Sequence, residues 1–105
     1  MRIFTITLAL TLATITGASA SSDDAWAAFA AEVEEGCLSA TNSVLTEATA
    51  TVDPFGSESY GMAIISGKTS AGTTVSIICV FDKQTKAVEI GGELDAVVTP
   101  TEAAQ

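Results

Sequence analysis

Residues 72–82, "GTTVSIICVFD", are the stretch on which the fold turns. Val75, Ile77, Cys79 and Phe81 alternate with Ser76, Ile78 and Val80, and successive side chains of an extended chain point to opposite faces. β-Branched and aromatic residues fill the run, as they do in a strand well inside a sheet. Both of its faces carry apolar side chains, so the strand has two sides to cover. Cys79 selects the inner one, provided the other cysteine can be placed.

That cysteine is Cys37, within "SDDAWAAFAAEVEEGCLSAT", residues 22–41. Trp26, Phe29, Ala30, Val33 and Cys37 recur every three or four residues, which puts them on one face of an amphipathic helix. Ser22 suits the cap, and Asp23 and Asp24 fall where a helix N-terminus favours negative charge. Glu32, Glu34 and Glu35 lie off the stripe, and Asn42 is a natural stop. Gly36 costs about 1 kcal/mol relative to alanine in a helix, and its small size suits close packing beside Cys37.

Export gives the two cysteines their meaning. Residues 1–20 open with Met1 and Arg2, run through an apolar stretch and end in the small-residue pattern "GASA", which reads as a cleaved signal peptide. Cleavage would leave an 85-residue chain from Ser21, enough for one domain over 21–95 and a flexible C-terminal tail over 96–105. The chain is expected to be periplasmic or secreted. In such a compartment an even cysteine count predicts a disulfide, here Cys37–Cys79. Closing a loop of about 43 residues contributes on the order of 4 kcal/mol in the chain-entropy model. The two-residue spacing of a redox pair is absent.

Outward from these two elements, "TEATATVD" from residue 46 reads as an edge strand ended by Pro54, and "YGMAIISG" from residue 60 as another. "DKQT", residues 82–85, is a polar turn leading to "KAVEIGGEL", a short strand broken by Gly91 and Gly92. One helix followed by strands on short turns predicts an α+β domain: an N-terminal amphipathic helix packed on a three- to four-stranded antiparallel meander, with one disulfide. If Cys79 faces the helix, so do Val75, Ile77 and Phe81. Met62, Ile64, Val88 and Ile90 are expected around them, while Ile78 and Val80, joined by Ala63 and Ile65, point the other way. An apolar patch on the uncovered face of a small sheet marks a contact surface. The first strand, the tail or strong curvature of the sheet offers a competing cover.

Composition narrows the chemistry. The chain contains no histidine, which excludes serine–histidine and cysteine–histidine catalysis and histidine-ligated metals. The serines of "DPFGSESYGMAIISGK", residues 53–68, sit among turn residues, with Pro54 and Gly56 setting a bend. A serine–lysine pair using Lys68, a carboxylate pair such as Glu32 and Glu35, or a weak cation site at Asp53, Ser57 and Glu58 are the remaining chemical options. The expected reading is no enzyme, no cofactor and no metal. Beyond the signal, all thirteen acidic residues face only three lysines, a formal charge of −10. Such a surface repels nucleic acid and anionic lipid and attracts cations or basic proteins. No stable membrane insertion is expected after cleavage.

The order of a cysteine-bearing helix followed by strands carrying the second cysteine is similar to short exported bacterial domains, including the PepSY type. Locally, "GSESYGMAI", residues 56–64, resembles the serine–glycine–tyrosine segment of periplasmic lysozyme inhibitors. That resemblance implies a loop entering the lysozyme cleft through Ser57, Ser59 and Tyr60. It covers fewer than ten residues and differs in its glycine–serine order. The opening helix also departs from that family's larger β-rich domains.

The expected function is a small exported, non-enzymatic protein-binding or structural module of the bacterial envelope. Its partner is another protein or a second copy in a homodimer. The candidate contacts are Phe55, Ser57, Ser59 and Tyr60 on the loop, and Ile65, Ile78 and Val80 on the open face. The alternative is a periplasmic inhibitor of a basic enzyme such as lysozyme, acting through the 54–60 loop.

Overall fold

A computed structural model describes residues 22–99; the signal-peptide reading and the end of the tail lie outside the described residues. Helix α1 spans Ser22–Thr41, followed by strands β1 (Thr46–Val52), β2 (Tyr60–Lys68), β3 (Thr74–Asp82) and β4 (Val88–Leu94). The strands form one antiparallel sheet in the order β1-β2-β3-β4. The α+β meander is therefore present with four strands, and "TEATATV" is an edge strand.

The helix lies across one face. Cys37 and Cys79 are bonded, with Cα atoms 5.9 Å apart, and both are fully buried. Val33, Leu45, Ala63, Ile65, Ile77 and Phe81 close the core around them. At the end of α1 the Thr41 hydroxyl donates to the Cys37 carbonyl (2.9 Å), and the Leu45 amide donates to the Thr41 carbonyl (2.9 Å). Those bonds satisfy the buried polar groups where the helix stops and turn Leu45 into the core. Helix and sheet are in close contact at Gly61, where a Cβ would stand 2.5 Å from Val33 Cγ2 and 2.9 Å from Phe29 Cζ.

The register corrects one expectation. Ala63 pairs with Cys79 and Ile65 with Ile77, and directly opposed residues of an antiparallel pair share a face. Ala63 and Ile65 therefore belong to the helix side, and Ile65 is 0% exposed. Met62 and Ile64, expected inside, lie on the outer face opposite Val80 and Ile78. "YGMAIISG" is apolar at both parities, so its pattern alone does not set its phase, and a one-residue slip exchanges the faces. Ile65 is thus a core residue and not an exposed contact.

One further placement differs. Trp26, the first member of the helix stripe, lies beyond the core at 39% exposure, with its ring edge-on to Phe29 and Phe55. Within the segment expected as a flexible tail, the Val98 amide donates to the Ser66 hydroxyl (3.2 Å). β4 runs unbroken through Gly91 and Gly92, where a break was expected, with a register shift opposite Ile77 and Cys79; such a shift marks a bulge.

Candidate functional site

The face of the sheet away from α1 is built by strand parity. Ile64 stands opposite Ile78, and Met62 opposite Val80, giving two apolar rows across β2 and β3. Thr51 flanks Ile64 on β1, and Glu89 flanks Val80 on β4. Beyond the rows on one side come Tyr60 and Asp82, paired across the strands. On the other side come Ser66 and Ser76, whose buried hydroxyls are 2.7 Å apart.

Among the described residues the C-terminal segment meets the sheet face at the serine end. Leu94 pairs with Ser76, and the chain then returns over the sheet to place Val98 on Ser66. Among the described residues the apolar rows stay open beside it, with Met62, Ile64 and Val80 half-buried. Ile78, at mid-strand in the centre of the sheet, is 50% exposed. A shallow groove of about 410 Å³ runs along Thr51, Asp53, Met62, Ile64 and Ile78. A second, of about 240 Å³, is lined by Tyr60, Val80, Asp82, Ala87 and Glu89. The Thr51 hydroxyl oxygen, buried at the edge of the first groove, has no hydrogen-bond partner.

The 53–60 loop is a braced turn. One Asp53 carboxylate oxygen accepts from the amides of Phe55 (3.1 Å) and Gly56 (3.0 Å). The Ser57 hydroxyl accepts from the Tyr60 amide (3.0 Å), and the Ser57 amide donates to the Tyr60 carbonyl (2.8 Å). Gly56 has φ +69°, and a Cβ there would collide with the Tyr60 carbonyl. Asp53 and Ser57 thus hold backbone groups of the bend. Phe55 rests edge-on against Trp26, while Ser59 and Tyr60 are exposed.

Lys83 locks this loop from the β3–β4 turn, and nothing in the spacing of the sequence announced it. Its ammonium donates to the carbonyls of Phe55 (3.0 Å) and Ser57 (2.6 Å). The same nitrogen lies 5.4 Å from the Trp26 ring centre and 4.9 Å from that of Phe29, within the reach of cation–π attraction. The other two lysines pair with carboxylates: Lys68 with Glu47 at 3.1 Å and Lys86 with Glu32 at 3.0 Å. Lys68 is thereby at the far end of β2 from the loop serines. In the β3–β4 turn, the Asp82 carboxylate accepts from the amides of Thr85 (3.0 Å) and Gln84 (2.8 Å), which holds its pKa below the ordinary 3.8.

Among the described residues, no group of three or more histidine, cysteine, aspartate or glutamate side chains is placed to hold a metal ion. Nor is any helix there long and apolar enough to cross a membrane. Fold and surface together define a small disulfide-bonded α+β domain with one sheet face only partly covered. Comparison with known proteins yields no match: no family model, curated protein or solved structure aligns significantly with the chain. The resemblances to PepSY domains and lysozyme inhibitors gain no support from it.

Proposed function

We propose that this chain is an exported, non-enzymatic module of the bacterial envelope that binds another protein, or a second copy, through its open sheet face. The observation that carries the reading is the pair of apolar rows Ile64–Ile78 and Met62–Val80, which the described residues leave open while the C-terminal segment reaches Ser66. Apolar side chains at the centre of a sheet gain about 25 cal/mol for each Å² removed from water. Among the described residues they lack a covering chain. The disulfide fits an oxidising compartment outside the cytoplasm.

Sedimentation of the oxidised mature protein, alone and with material retained by affinity capture, tests this reading. A dimer or a partner-dependent species is expected, and Ile78→Ser with Val80→Ser should abolish it. A strict monomer that retains nothing the double variant fails to retain would remove the proposal.

The loop supports a second reading, an inhibitor of a basic enzyme such as lysozyme. Lys83 and Asp53 hold the loop in one shape with Phe55 and Tyr60 outward, and a pre-shaped loop spends less entropy on binding. Slowing of lysozyme by micromolar mature protein would favour it. An unchanged rate would leave the sheet face alone.

A further inference from the structure

Resting on the open-face reading, we infer that the occupant of this face is a cationic amphipathic segment of a different protein, and not a second copy of this chain. Two features of the surface select it. The first is charge. The rim of the two grooves carries Asp53, Asp82 and Glu89, and no lysine lines either groove. All three lysines of the described chain hold internal partners: Lys68 and Lys86 are paired with Glu47 and Glu32, and Lys83 is spent on the loop. Lys68, at the serine end of the same face, is already paired with Glu47, so two copies meeting over the grooves would bring carboxylates to carboxylates, on chains already strongly acidic. Like charges opposed across an interface disfavour that pairing, and complementary charge favours a lysine- or arginine-bearing partner.

The second feature is size. Ile64, Ile78, Met62 and Val80 make a patch two strands wide and two rows deep, roughly 5 by 7 Å between Cα positions. A stable dimer buries about 800 Å² on each subunit, more than this patch supplies with one end under Val98. An apolar stripe of a few side chains, with cationic residues on either side, matches both the rows and the rim.

The test uses the oxidised mature protein and synthetic peptides: an amphipathic leucine–lysine helix, its leucine–glutamate counterpart and polylysine. The leucine–lysine peptide should bind. Ile78→Ser with Val80→Ser should weaken binding at least about thirtyfold, as for central apolar contacts. Glu89→Lys should weaken it about fivefold, the size of one exposed ion pair, and added salt should weaken it further. Ile78→Thr alone replaces the double variant if that fails to fold.

Equal binding of the leucine–glutamate peptide would overturn the charge inference and leave the face reading intact. So would a dimer, in the absence of peptide, that the double variant abolishes. Leucine–lysine or polylysine binding unchanged by the double variant would place the cations elsewhere on the acidic surface, and both readings would fall. No binding by a protein that stays monomeric would also sink both.

Discussion

Ile78 and Cys79 are neighbours in β3 with opposite fates: Cys79 is fully buried and bonded to the helix, and half of Ile78 is exposed on the other face. Strand geometry alone produces this contrast, because successive side chains alternate across the sheet. The disulfide fixes the helix over one face of β3. The residue beside it is thereby committed to the face that α1 cannot reach.

The staple should matter to stability more than any single ion pair. Replacing Cys37 and Cys79 together by alanine should cost about 4 kcal/mol through the freed loop, and part of the fully buried packing around them as well. Urea unfolding of oxidised, reduced and doubly substituted protein measures this. Equal midpoints for the three would show that the bond contributes nothing.

Lys83 should act as a local clamp. Lys83→Met keeps the apolar stem but removes the donors to Phe55 and Ser57 and the charge over Trp26 and Phe29. A loss of about 1–2 kcal/mol is expected from charge-assisted bonds and cation–π contacts at a partly exposed site. Hydrogen exchange should quicken at the Ser57 and Tyr60 amides and stay unchanged in β3. Uniform quickening across the sheet would indicate a global role instead.

Two glycines of the helix–sheet contact should respond differently to alanine. At Gly61 the added methyl meets Val33 and Phe29 well inside contact distance, so about 1–3 kcal/mol of overpacking is expected. At Gly36 the nearest atom is Val88 Cγ2, 3.2 Å away on a side chain able to shift slightly. There a helix-propensity gain of about 1 kcal/mol offsets the crowding, and the net change should be close to zero. Thermal unfolding of the two variants decides the order, and a greater loss at Gly36 would contradict the packing described.

Asp82 gives the fold an acid-sensitive turn. Its pKa is lowered, chiefly by the Thr85 amide and then by that of Gln84, so its contribution is complete above the ordinary 3.8 and is lost as the pH falls through the lower folded value. The stability gap between the native protein and Asp82→Asn should therefore narrow in acid. A gap that stays constant from neutral pH to about pH 2 would mean that the charge plays no part.

Much of the fold was legible in local pattern. The period of Trp26 to Cys37 marked the helix, alternation around Cys79 marked β3, and the expectation of export suggested the pairing of the two cysteines. The phase of β2 was not legible, since Met62, Ala63, Ile64 and Ile65 offer apolar side chains to both faces. Only pairing with β3 decides between them. The Lys83 clamp joins groups 26 and 28 residues apart, and the Val98–Ser66 contact spans 32. No short-range signal encodes such contacts. Ile78 and Val80 were placed correctly on the open face because Cys79 reports its own orientation.

The most direct test of the open face uses the isoleucine methyls. Beyond residue 20 the chain has five isoleucines, at 64, 65, 77, 78 and 90, and the sheet sorts the first four into two outward and two buried. In methyl-labelled oxidised protein titrated with the leucine–lysine peptide or a captured partner, the Ile64 and Ile78 signals should shift while those of Ile65 and Ile77 hold still. Shifts confined to the loop or the helix, with Ile64 and Ile78 unmoved, would contradict the account.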